Sequence, residues 1–107
     1  MKMALTRNFM KTVKARADRD PDFRKELLRE AVEAFLSGDV ETGKAILRDY
    51  INATVGFVPL GKALGMDPKS LMRMLGPSGN PEAQNLFDII AYLQKKEGVH
   101  LEVMAAV

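Results

Sequence analysis

The stretch Val55–Pro81, VGFVPLGKALGMDPKSLMRMLGPSGNP, decides how this chain is read. It holds two short apolar-periodic runs, split at Gly65-Met66 and closed by a Gly- and Pro-rich exit. The first run predicts a helix from Phe57 to Leu64, ended by Gly65. Asp67-Pro68 predicts the start of a second helix, which runs to about Leu75. Asp suits a cap because its carboxylate accepts a first-turn N–H. Pro suits the first helical position because its missing N–H has no partner there anyway. Leu60 and Leu64 on the first helix, and Leu71, Met74 and Leu75 on the second, are spaced to pack face to face. Gly61 is the small residue where the helices cross, Gly65 supplies a left-handed turn, and Met66 plugs the corner.

This is the layout of a helix-turn-helix. Lys69, Ser70, Met72 and Arg73 are left on the outer side of the second helix. An α-helix fits the DNA major groove, and its first turns reach base edges. Lys and Arg suit guanine O6 and N7, Ser suits several edges, and Met suits a thymine methyl. The loop GPSGNP, with Ser78 and Asn80, leads into a helix expected to start at Pro81. The free N–H groups of such a start suit a phosphate. Lys62 is placed for a matching phosphate contact on the other side. Lys69 and Arg73 equally suit phosphate alone, and a helical corner that binds no nucleic acid has the same anchor pattern.

Outward from this stretch the pattern stays helical. Residues 6–17 predict a short helix with Thr6 as its cap. Asp20-Pro21 then opens a helix whose stripe is Phe23, Leu27, Leu28, Ala31, Val32, Phe35 and Leu36, stopped by Gly38. Asp39 caps the next, Val40 to about Thr54, with Val40, Gly43, Ile46, Leu47, Tyr50 and Ile51 on one stripe and Gly56 as the break. The last helix carries Leu86, Phe87, Ile90 and Leu93 on one face, with Ile89 and Tyr92 beside it, and ends at Gly98. Val99–Val103, VHLEV, alternates apolar and polar and predicts a strand. A lone strand must pair elsewhere, so this segment or the N-terminal helices are the candidate dimer surface.

At 107 residues the chain is sized for one domain with one small core. It divides into an N-terminal helical extension, 1–38, and a unit of 39–107, expected to form one compact body. The absence of cysteine excludes a disulfide scaffold and thiol chemistry, and suits the cytoplasm. No apolar run approaches the roughly 18–20 residues that span a bilayer, so no membrane role is expected. The net charge of +2 is unevenly spread. Lys2, Arg7, Lys11, Lys14, Arg16 and Arg19 face only Asp18 in residues 1–19, while Glu82, Asp88, Glu97 and Glu102 outweigh Lys95 and Lys96 at the other end. That asymmetry fits a polyanion held on one face, or a solvated surface. Asp20, Asp39 and Asp67 are explained as caps, and His100 stands alone in the strand candidate. The seven methionines read as gap-fillers rather than a cofactor box. No acid pair, nucleophile couple or ligand cluster remains, so neither an enzyme nor a metal or cofactor is expected.

The run LRDYINATVGFVPLGKALGMDPKSLMRMLGPSGNPEAQNLFDIIAYLQKKEGVHLEV, from Leu47 to Val103, resembles the lambda-repressor-like (Xre) helix-turn-helix class. Within that class it is most similar to the HigA-like addiction-module antidote proteins. The resemblance implies an all-α fold with a helix-turn-helix, a Gly-Asn-Pro loop, a helix and a terminal strand. It implies a small bacterial regulator that binds double-stranded DNA as a homodimer and represses transcription; some members of the family neutralise an adjacent RelE/ParE-like toxin and repress the operon they share with it. It assigns Lys69, Ser70 and Arg73 to base reading and Asn80 to the phosphate loop. Two departures stand out. Phe57 occupies a position where a polar residue usually touches phosphate. Gly61 replaces the commoner Ala, at a cost of up to about 1 kcal/mol in helix propensity. The alternative is a module whose work is toxin binding, through the basic N-terminal helix and the stripe around Phe23, Leu27 and Phe35.

Overall fold

Among the described residues six helices form, three of them opened by an aspartate cap. The computed structural model describes residues 7–107, with side chains from residue 11 onward. The helices are α1 (Arg7–Arg19), α2 (Pro21–Leu36), α3 (Val40–Ala53), α4 (Phe57–Leu64), α5 (Pro68–Met74) and α6 (Ala83–Glu97). The expected Thr6 cap lies outside the described residues. Three aspartates do the work assigned to them. Asp20 accepts from the Phe23 N–H at 3.1 Å, Asp39 from the Thr42 N–H at 3.2 Å and Asp67 from the Ser70 N–H at 3.1 Å.

The core is shared by all the helices from α2 onward. Leu28 and Ala31 of α2 meet Leu47 and Ile51 of α3, Leu60 of α4, Leu71 of α5, and Ile89 and Leu93 of α6, all buried. Each fully buried leucine stabilises by about 1.5–3 kcal/mol relative to exposure. The piece before residue 39 therefore completes this core. Ala17 of α1 is buried as well, and Arg16 lays its guanidinium 4.4 Å from the centre of the Phe23 ring.

Four expectations are corrected. Leu36 and Val40 are 65% and 45% exposed, because they sit at the turn where α2 ends and α3 begins. Phe87 is 63% exposed. The buried line of α6 runs through Ile89, Ile90 and Leu93 with Leu86 beside it, and a residue after Leu86 is turned by about 100° off that line. The last helix starts at Ala83 rather than Pro81, with Glu82 in extended backbone just before it and no side-chain cap. Val99–Val103 is not a strand, and no strand is found among the described residues. The predicted alternation survives as exposure only up to Glu102, with Val99 and Leu101 half-buried and His100 and Glu102 exposed, while Val103 is exposed as well. The Leu101 N–H is taken by the Gln94 side chain at 2.7 Å rather than by a neighbouring strand.

A buried polar network ties four helices at the C-terminal end of α6. Arg24 donates to Glu97 at 3.0 Å and to the Ala17 carbonyl at 2.5 Å, and the Tyr50 hydroxyl donates to Glu97 at 2.5 Å. Burial, then the bond to Glu97, pushes the Tyr50 phenol above its usual range. The protonated phenol is thus favoured in the fold. Its contribution is complete below the unfolded value of about 10 and is lost as pH rises through the higher folded value. Thermal melts across alkaline pH should show Tm falling from about pH 10 upward. Tyr50→Phe, which cannot ionise, should flatten that fall, and parallel profiles would refute the assignment.

No helix of the described residues is long and apolar enough to cross a membrane.

Candidate nucleic-acid interface

The surface of interest is built on the α4–α5 corner. Phe57, Leu60 and Gly61 of α4 are buried, as are Leu71 of α5 and Leu75 at its end. Leu64, Met66 and Met74 pack half-buried against them. Gly65 turns the chain with φ of 67°. Gly61 has a geometric reason to be there. A Cβ on it would lie 2.5 Å from the Met66 carbonyl oxygen and 3.3 Å from the Pro68 nitrogen, both backbone atoms that cannot swing aside. The lost helix propensity thus accompanies a closer approach than alanine allows. Phe57 is in the core at 5% exposure, so it offers nothing to a phosphate, and Val58 is the exposed residue beside it.

With these anchors turned inward, Lys69, Met72 and Arg73 are exposed along α5, and Lys62 is exposed on α4. Lys62, Lys69 and Arg73 make no ion pair among the described residues. Ser70 is half-buried and already engaged. Its hydroxyl donates to Asp67 at 3.3 Å and accepts from Arg73 at 3.5 Å. Its proton is committed, which leaves it acceptor capacity and a part in steering Arg73.

A cleft of about 270 Å³ opens between α5 and the start of α6, lined by Ser70, Arg73, Met74, Gly79, Asn80, Pro81, Glu82 and Asn85. It gathers three of the residues singled out in the sequence, Ser70, Arg73 and Asn80. Lys62, Lys69, Met72 and Ser78 are exposed but do not line it. Glu82 and Asn85 are additions. Asn85 was hidden because it becomes a first-turn residue only once α6 starts at Ala83. Glu82 brings a carboxylate to the same cleft, so the cleft is mixed in charge rather than wholly basic.

The loop that joins α5 to α6 is held from beneath, by residues the sequence reading passed over. Lys44 of α3 is fully buried, and its Nζ donates to the carbonyls of Gly76 at 3.0 Å and Gly79 at 2.6 Å. Arg48, one turn further on, donates to the Leu75 carbonyl. Gly79 closes the loop tightly against α5. A Cβ there would run into the carbonyl oxygens of Met74 and Arg73. The sequence did hold a signal for Lys44. It stands three and seven residues before Leu47 and Ile51, which puts a lysine on the apolar stripe.

No group of three or more His, Asp or Glu that could hold a metal occurs among the described residues. No family model, curated protein or solved structure matches the chain.

Proposed function

We propose that this chain is a sequence-specific regulator of transcription that binds double-stranded DNA through a helix-turn-helix formed by α4 and α5. The observation that carries the reading is the two-sidedness of α5. Its buried side is locked by Leu71 and by Leu75 at its end, while Lys69, Met72 and Arg73 are exposed and its two cations make no ion pair among the described residues. A helix anchored from below with a basic outer side has the shape and charge that a major groove accepts. Lys62 from α4, and Ser78 and Asn80 from the following loop, flank α5 for phosphate contacts that set its register. Two copies would place two α5 helices about one DNA turn apart on a palindromic operator, and repression would follow from occupancy.

Toxin binding as the main work finds less support. Leu27 and Phe35 pack against the core, and Phe23 is half-buried under Arg16. The stripe that reading needs is thus spent within the domain.

The test is fluorescence anisotropy of the protein on a duplex from upstream of its own gene, against a scrambled duplex, across a salt series. Preference for the native duplex by about 10³-fold or more is expected. Equal, steeply salt-sensitive binding to both would reduce the surface to a merely basic one. Binding to neither would refute the reading.

A further inference from the structure

Lys44 is the one charged side chain among the described residues that is fully buried, and DNA reading by α5 gives it no part. Lysines are almost never fully buried without partners, because removing an ammonium from water costs several kcal/mol. An apolar residue would fill the same space at no such cost. What the lysine supplies instead is direction. Its ammonium donates to the Gly76 and Gly79 carbonyls, and pairs at 2.9 Å with Glu41, whose side chain is largely in solvent. Arg48 takes the Leu75 carbonyl. Three carbonyls of one loop are thereby drawn toward α3.

The N–H groups of the loop divide differently. Those of Gly76 and Gly79 are used inside it, on the carbonyls of Arg73 and Gly76. Those of Ser78 and Asn80 have no partner among the described residues. The loop thus spends its acceptors inward and keeps two donors, of which Asn80 lines the cleft between Arg73 and the start of α6. We propose that Lys44, with Arg48 beside it, is a positioning residue that holds loop 75–80 in the shape that offers the Asn80 N–H group to a DNA phosphate in the cleft beside Arg73. This rests on the DNA-binding reading of α5.

The experiment compares wild type, Lys44→Met and Glu97→Gln. The last weakens the network at the opposite end of α6 and shows what lost stability alone does. Two quantities are read below the melting range of all three: anisotropy on the native and scrambled duplexes, and amide hydrogen exchange by NMR without DNA. Lys44→Met should bind the native duplex about tenfold more weakly, and the Gly79 amide should exchange at least tenfold faster relative to core amides. Glu97→Gln should bind within about twofold of wild type. Unchanged Gly79 exchange, or binding by Lys44→Met equal to that of Glu97→Gln, would overturn the proposal while leaving α5 as the reader. Failure of the wild type to bind either duplex would overturn the DNA reading and the phosphate role together, and faster Gly79 exchange would then show only that Lys44 shapes the loop. Should Lys44→Met not fold, Gly79→Ala displaces the same loop from the α5 side. It should show the same tenfold loss, and wild-type binding by it would count against the proposal.

Discussion

Glu97→Ala should cost about 3–5 kcal/mol of folding stability, the range for breaking a buried charge pair by removing one partner. The Glu97 side chain is 6% exposed and that of Arg24 25%. Removing the carboxylate leaves the guanidinium with the Ala17 carbonyl alone and strips the Tyr50 hydroxyl of its acceptor. Partial access of Arg24 to water places the expected loss toward the lower end. A domain of this size has about 5–15 kcal/mol in all, so the variant would be marginal at 37 °C. Glu97→Gln keeps the shape and an acceptor, and should lose only about 1.5–3 kcal/mol as the bonds cease to be charge-assisted. Urea denaturation followed by circular dichroism reads both. A loss under about 1 kcal/mol for Glu97→Ala would mean that the network behaves like a surface pair.

Arg73→Ala should weaken binding to the native duplex by about 1–3 kcal/mol, with a much smaller effect on the scrambled one. Arg73 is the exposed cation of α5 that also lines the cleft toward α6, and the Ser70 hydroxyl lies at its guanidinium. Lys69 is exposed at the opening turn, and no neighbour orients its ammonium as Ser70 orients Arg73, so it acts as a point charge and Lys69→Ala should reduce affinity for both duplexes alike. Anisotropy titrations of the two variants at one salt concentration separate these roles. An equal loss on both duplexes for Arg73→Ala would assign that residue to phosphate and remove it from base reading.

The helices were legible because their ends are written in short-range chemistry. Asp20, Asp39 and Asp67 cap within three residues, and Pro21 and Pro68 mark first turns, so local rules suffice. The anchors of the α4–α5 corner were legible for a similar reason, since Leu60, Leu71 and Leu75 follow helical spacing. What escaped depends on contacts between distant segments. Lys44 meets Gly76 and Gly79 more than thirty residues away, and nothing near Lys44 in sequence names those partners. The Arg24–Glu97 pair joins residues 73 apart. Val99–Val103 has the alternation of a strand but needs a neighbour, and periodicity along one segment cannot supply one. Gly61 was recognised as small, but the reason it must be small lies in the Met66 carbonyl across the corner.

The α6 helix separates two regions that the sequence suggested would share a face. Its first turn borders the cleft beside Arg73, and its last residue, Glu97, is tied through Arg24 to Ala17 of α1. Fifteen residues of helix span on the order of 20 Å. The exposed cations of α1 are thus tethered near one end of this strut, and those of α5 lie near the other. At 0.15 M salt the Debye length is about 8 Å, so each cluster is screened from the other. With Lys14 and Arg16 already paired to Asp18 and Asp20, the two groups act as separate local charges instead of one broad field. If α5 reads DNA as proposed, dilute salt would let both groups steer an approaching polyanion, whereas near-physiological salt would leave the α5 cations to act alone.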